Sequence, residues 1–366
     1  MIYSTSTLQN ICSINRGGKR MGDVRPLREG IKFGDKVITL KELLDKDIHK
    51  PEELLSPWLK KGQLWMVYSK AGIGKTFFAL NVAFAVAGGG KYLSWKAEKA
   101  QKVLYCDGEM DEWDMQNRLN GILKASKRDK NGDLEKVLKN FFVYSAVGQD
   151  ISKPFPDLST IEGLDVLLKK AEGKDFVVID NIITTMRSGD PNDVTFWTNM
   201  QDALVELRKR KTSVLLVHHS NKSGDQMGTS AKDVILDGKI KLEHPSDYSP
   251  NEGARWVLDY EKNRGLKGED VTSVEAQLEE DFDGLPKWTY RMIDHSRHLE
   301  LKRLAESGEY ATAREISVVM EVTPMRISQI KTEAIKDGLF TSRNWKDWLK
   351  IAKETKELED DEETEF

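Results

Sequence analysis

The feature that most constrains this chain is the octapeptide Ser69-Lys70-Ala71-Gly72-Ile73-Gly74-Lys75-Thr76, set between the apolar run Leu64 to Tyr68 and the helix-forming Phe77-Phe78-Ala79-Leu80. A strand feeding a glycine-rich loop into a helix aims loop N–H groups and the first helical N–H groups at one point, a cradle for phosphate oxygens. Ser69, Lys70, Ala71, Gly72, Ile73, Gly74, Lys75, Thr76 and Phe77 are the expected lining. In the pattern G-x-x-x-x-G-K-T, the lysine reaches the β/γ oxygens and the hydroxyl ligates Mg²⁺, so Lys75 and Thr76 take those roles and ATP with Mg²⁺ is the expected ligand pair. Ser69 replaces the first glycine, so the turn into the loop must suit a side chain.

The surrounding pattern fits one fold class. Apolar runs of strand length at Leu64 to Tyr68, Val103 to Cys106, Phe176 to Ile179, Val214 to Val217 and Trp256 to Leu258 alternate with helical stretches. Such alternation predicts an α/β core over residues 51–290 with a mostly parallel, doubly covered sheet. Phe77 to Gly90 reads as a buried helix within it, too short and too polar at Asn81 to span a membrane. Asp281 to Trp288, with Gly284 and Pro286, is expected to break and close the core. Residues 295–350 then carry apolar residues at helical spacing in Leu299 to Leu304, Ala313 to Val319 and Met325 to Ile335. Thr323 as N-cap and Pro324 at the first helical position predict a helix-turn-helix, with a winged-helix-like β wing after Gly338-Leu339-Phe340. Packing alone is the competing role for these helices.

Residues 1–50 show no sustained periodicity and read as an N-terminal arm. At the other end, residues 354–366 contribute −7 to the net charge of −4, which leaves the remainder at +3. Residues 351–366 therefore read as an acidic, disordered tail. Two cysteines, Cys12 and Cys106, fit a reducing cytoplasmic setting with neither a disulfide framework nor a zinc site.

Three further strand ends carry chemistry. Phe176-Val177-Val178-Ile179-Asp180 delivers a carboxylate near the expected Mg²⁺, about 105 residues after Lys75. Val103-Leu104-Tyr105-Cys106-Asp107-Gly108-Glu109-Met110 delivers two acids at the same sheet edge, Glu109 to orient and deprotonate water and Asp107 to support it. Val217-His218-His219-Ser220-Asn221-Lys222 ends another strand. A solvated loop acid and a strand-end histidine are the plain alternatives for Glu109 and His219.

In that order the motifs resemble the hexameric replicative helicases of the RecA-like superfamily, and most closely the small plasmid RepA type of AAA-family ATPase, over roughly residues 51–290. The resemblance implies Glu109 as catalytic base and a γ-phosphate sensor at the end of the fourth strand. Adjacent strand residues face opposite sides, so one of the two histidines faces nucleotide, and His219 is the expected one. It also implies a Lys-x-Arg pair acting on a neighbouring subunit's nucleotide, carried here by Lys262 and Arg264, and hence a homo-oligomer, a hexameric ring. The implied DNA loops contain Arg187, and Lys222, Thr229, Ser230 and Lys232; they hold no aromatic platform, so single-stranded DNA is expected to be gripped by its backbone. Phe366 at the tip of the acidic tail resembles tails that dock replication partners. A DNA-remodelling or regulatory ATPase without unwinding activity is the alternative reading.

Overall fold

Successive residues of the apolar runs bury on opposite faces of one sheet, which is why those runs show no polar alternation. Leu64 and Met66 join the core on one face, and Trp65 and Val67 the core on the other. The same alternation repeats along Phe176 to Ile179 and Val214 to Val217. The computed structural model describes residues 36–188, 194–220, 234–245, 247–293 and 295–364. They fall into two units, residues 1–50 and 51–366. In the first, Leu40–Leu44 forms a short helix whose capping box joins Thr39 and Glu42.

The second unit is built on nine strands: β1 (Leu64–Ser69), β2 (Val103–Asp107), β3 (Phe141–Ser145), β4 (Phe176–Asp180), β5 (Ser213–His219), β6 (Gly238–Glu243), β7 (Arg255–Asn263), β8 (Ser273–Glu280) and β9 (Pro286–Ile293). Their order is β9-β8-β7-β6-β1-β5-β4-β2-β3. From β6 to β3 every pairing is parallel, and β7 to β9 extend the sheet as an antiparallel meander. One strand, β5, separates β1 from β4, so the phosphate loop and Asp180 face each other across a crevice at the carboxyl ends. This is the α/β core with a mostly parallel sheet expected from the sequence.

Helices α1 (Lys75–Gly88), α2 (Glu112–Asp129) and α3 (Leu134–Asn140) belong to one side. That side carries an aromatic cluster in which Phe78 meets Tyr92, Trp95 and Trp256 edge-on. Helices α4 (Ile161–Lys170), α5 (Ile182–Thr185) and α6 (Val194–Lys209) belong to the other. Between β6 and β1 the backbones are close enough that a Cβ on Gly238 would stand 2.0 Å from the Trp65 ring. Among the described residues no helix is long and apolar enough to cross a membrane.

Beyond β9 come α7 (His295–Glu306), α8 (Ala313–Val319), α9 (Pro324–Lys336) and α10 (Ser342–Thr364). Leu301, Ile316, Ile327, Ile330 and Ala334 form a separate apolar core for them. The expected cap is present: Thr323 accepts from the Arg326 N–H, with Pro324 in the first turn. Three expectations change. The segment 281–288 does not close the sheet: Asp281 to Leu285 is the turn of the β8–β9 hairpin, its Asp281 carboxylate accepting from the Asp283 and Leu285 N–H groups. No β wing follows Phe340; α10 begins instead, because Phe340 stacks on Trp345 and meets Trp348 edge-on, which draws the next segment back as a helix. The acidic stretch expected to be disordered continues α10 to Thr364, where charged pairs four apart, Lys350–Glu354 and Lys353–Glu357, support helix.

The helical bundle is tied to the sheet by charge. Arg255, with its side chain 8% exposed, is held by Glu275, Glu252 and Asp247. Glu275 also accepts from Arg291 at 2.7 Å, Arg291 approaches Asp337, and Asp337 meets buried His298 at 3.1 Å. Lys336 closes the set on Asp247 at 3.2 Å. Buried charges persist here because each has several partners.

Candidate functional site

Strand parity decides which side chains reach the crevice. Trp65 and Val67 belong to the core on the α1 side, which puts Ser69 on that side too; by the same count so do Asp107, Asp180 and His219. His218 takes the other face, fully buried with its ring edge-on to Trp197. The order Val-His-His therefore puts His219 on the crevice side of the sheet.

The loop explains its own sequence. Ser69 is the last residue of β1, paired with His219, and its carbonyl accepts from the Ser220 N–H, so no left-handed backbone is needed there. Its hydroxyl donates to the Lys70 carbonyl and accepts from Lys75 Nζ at 3.1 Å, a contact glycine would lack. The left-handed positions are Gly72 and Gly74, at φ 82° and 109°. At Gly74 any Cβ would also press on Ala254 at 3.0 Å. Lys75 Nζ further donates to the carbonyls of Ser69 at 3.2 Å and Lys70 at 2.8 Å. Burial pulls the Lys75 ammonium down to about 8, with Asp180 and Glu109 acting in the opposite direction. Ile73 is buried beneath the loop, and Phe77 lies under the Arg118 guanidinium, 4.5 Å from its ring centre.

Asp180 is buried at the end of β4 and accepts from the Tyr105 hydroxyl at 2.7 Å and from Thr76. Burial raises its pKa, and those two hydrogen bonds and Lys75 oppose the rise. Asp107, one strand away, is pushed up to about 7, first by burial and then by the Asp180 charge, against hydrogen bonds from the Met110 and Glu109 N–H groups. Glu109 is oriented by Asn181, whose Nδ2 donates to Glu109 Oε2 at 2.7 Å. Gly108 makes that possible: a Cβ there would stand 2.4 Å from Thr184 Oγ1. Burial lowers the pKa of His219, and the nearby Lys75 adds to the effect while Glu109 opposes it. Cys106, the residue before Asp107 and on the other face of the sheet, is a buried free thiol pushed up to about 12.

The crevice thus brings together Lys75, Thr76, Asp107, Glu109, Asp180 and His219. A hydroxyl and a carboxylate in contact, Thr76 and Asp180, fit Mg²⁺, which takes one or two protein oxygens and completes its shell with phosphate and water. Lys262 and Arg264 are not part of this cluster. Lys262 pairs with Lys239, which is level with Met66 on β1, and the Arg264 N–H donates to the Asp237 carbonyl, so both lie toward the opposite, amino end of β1. The Arg264 guanidinium donates to the exposed Val234 carbonyl. Arg187 follows α5, its guanidinium donating to the Phe155 carbonyl at 2.6 Å. Lys222, Thr229, Ser230 and Lys232 lie outside the described residues.

Sequence reasoning missed Tyr105, Asn181 and the cavity beside the loop. Tyr105 was visible as a polar-tipped aromatic in an apolar strand, and Asn181 as the residue after Asp180. The cavity, about 400 Å³, reaches from Ser69, Lys70 and Ile73 to Leu242 on β6, His244 and Pro245 just after it, and Val257 on β7. Nothing local marks those residues, because strand pairing alone assembles them.

A family model described as AAA domain matches residues 31–225. The crystal structure of the KaiC-like protein PH0186 from the hyperthermophilic archaeon Pyrococcus horikoshii OT3 is similar at a TM-score of 0.44 and 16% identity, over 64% of this chain and 94% of that one. No curated protein matches the sequence.

Proposed function

The chain belongs to the AAA domain family, and from that premise we propose that it is an ATP-driven DNA helicase of the RecA-like hexameric type, serving replication of a plasmid, phage or mobile element. The ATPase half of the reading rests on the family and on the crevice. The observation that carries the rest is the separation of the Lys262 and Arg264 pair, on and just past β7 and level with the amino half of β1, from the Lys75 crevice at the carboxyl end of β1. A cation pair so placed is suited to a neighbouring subunit's nucleotide, as a ring requires.

In this reading the phosphates sit on the loop N–H groups, and Lys75 neutralises the β/γ oxygens. Thr76 and Asp180 would hold Mg²⁺, which would supply charge neutralisation to the phosphates. Glu109, aimed by Asn181, orients the attacking water and takes its proton. His219, on the same face and beside Lys75, registers the γ-phosphate at the end of β5, the strand that leads into the segment containing Lys222. Base and ribose enter the cavity against Leu242, Pro245 and Val257, whose volume suits a nucleoside. Arg187, Lys222, Thr229, Ser230 and Lys232 are the proposed DNA contacts, made to the backbone of a single strand. The acidic end of α10 and Phe366 are the proposed contact with a replication partner.

A forked duplex with a labelled strand tests the proposal. ATP-dependent displacement by the wild type and none by Lys75→Ala is the expected result; steady ATP hydrolysis with no displacement from either end of the fork overturns the helicase and favours the regulatory ATPase.

A further inference from the structure

The C-terminal bundle presents a surface that the ATPase reaction leaves unused. Helices α8 and α9 are joined by the four residues 320–323, in which Met320 is buried and Glu321 takes a left-handed φ of 52°. That short turn, with α7 packed behind it, is the arrangement of a helix-turn-helix, in which the second helix enters the major groove. Along α9, Ile327, Ile330 and Ala334 face the bundle core. The opposite stripe, Arg326, Gln329 and Thr332 at intervals of three, is exposed, and Met325 at its start is 74% exposed.

The side chains on this stripe divide by what they already bond. Ser328 donates to the Pro324 carbonyl and Thr332 to the Ser328 carbonyl, so both hydroxyls are turned back onto the helix. Arg326 and Gln329 bond each other at 3.3 Å, and Glu333 lies 3.6 Å from the guanidinium. Arginine and glutamine are the residue types that pair with the major-groove edges of guanine and adenine, and an apolar tip such as Met325 suits a thymine methyl. Cations flank the stripe. Lys331 sits over the Trp345 ring, which sets it beside the first turns of α10, where Arg343 and Lys346 are exposed; Arg314 is exposed at the start of α8. Cations on either side of a reading helix are placed for phosphates, which fix register and carry no sequence information.

We propose that α8 and α9 form a duplex-DNA reading module, with Arg326 and Gln329 contacting base edges in the major groove and Lys331, Arg343 and Lys346 contacting the backbone. Helix α9 spans about 20 Å at 1.5 Å per residue, long enough to cross a groove about 12 Å wide. Its ties to the sheet, Lys336 to Asp247 and Asp337 to Arg291, lie at its carboxyl end, away from the first-turn stripe. The module gives the ATPase an address on double-stranded DNA, a property distinct from passage along a single strand.

The test is selection by the full chain from a pool of 30-base-pair duplexes with randomised centres, followed by anisotropy titrations of the enriched duplex. The expected result is one enriched sequence bound at least tenfold more tightly than the unselected pool. Arg326→Ala combined with Gln329→Ala loses that preference and keeps its ATPase rate, and both side chains are exposed, so the fold survives the change. No enrichment, equal affinity for all duplexes, or an unaltered preference in the double variant overturns the proposal. Lys75→Ala retains the preference while stopping ATP hydrolysis, so failure of the motor reading and failure of this one are seen separately.

Discussion

Glu109, the proposed base, shows how little of such a position resides in the side chain itself. It follows Gly108, whose missing Cβ lets the turn close on Thr184, and it is held by Asn181, the cap of α5 just past β4. Glu109→Gln keeps that hydrogen bond and loses the base. The expected outcome is a fall in kcat of about 10² to 10⁴ with ATP affinity retained, read by phosphate release beside fluorescent-nucleotide binding. A kcat within threefold of the wild type would remove Glu109 from the base role. Lys75 and Asp107 add pH dependence of opposite origin. The Lys75 ammonium, drawn down to about 8, is charged below that pH and neutral above it, so kcat/KM for ATP should decline as pH rises through about 8. Asp107, pushed up to about 7, holds a proton in the folded state that the unfolded chain releases near pH 4. The folded state therefore binds more protons between those values, and stability of the nucleotide-free protein falls as pH climbs from about 4 to 7. Denaturant titrations across that range should show the decline in the wild type and its loss in Asp107→Asn; a parallel decline in both would assign it elsewhere.

Elements were legible where one local rule decided them. The β1–loop–α1 unit, the strands ending in Asp107 and Asp180, and the Thr323 cap of α9 each state their structure within a few residues. Strand β6 does not: Gly238-Lys-Ile-Lys-Leu-Glu alternates as a half-buried edge strand would, yet it pairs with β1 near the middle of the sheet, with lysines half-buried on one face. Its place is set by Trp65, which fills the space a side chain at 238 would need. Gly238→Ala should destabilise the protein by about 3 kcal/mol or more through overpacking, measured as a lowered urea midpoint; an unchanged midpoint would mean that the ring can move aside. The meander and α10 were illegible for a related reason. Strand β8 is held by pairing with β7, β9 by pairing with β8, and both by the Glu275 hub, and α10 by the contact of Phe340 with Trp345 and Trp348, none of which a local pattern records. Removing the hub with Glu275→Ala strips a partner from both Arg255 and Arg291 and should cost about 3 kcal/mol, since one-sided loss leaves buried charge poorly compensated.

At the scale of the whole molecule, the decisive matter is that one chain's crevice lies at the carboxyl end of β1 while its Lys262 and Arg264 lie on and just past β7, level with the amino half of that strand. A finger that serves only neighbours, as proposed for Arg264, would make activity a property of interfaces, and this can be separated from any property of one subunit. Arg264→Ala keeps an intact crevice and offers no finger; Lys75→Ala has a failed crevice and offers an intact finger. Each alone should be inactive in ATP hydrolysis, with Arg264→Ala reduced by about 10³ or more where a finger stabilises the transferring phosphoryl group. When the two are mixed and allowed to exchange, some interfaces join a sound crevice to a sound finger, and hydrolysis should return to a measurable fraction of the wild-type rate. Mixing two portions of the same variant supplies the baseline. Recovery in the mixture requires assembly and action between subunits together. A flat response, with light scattering confirming that mixed oligomers have formed, would place Arg264 outside the catalytic interface; a particle of 41.6 kDa in the presence of ATP would remove the ring itself.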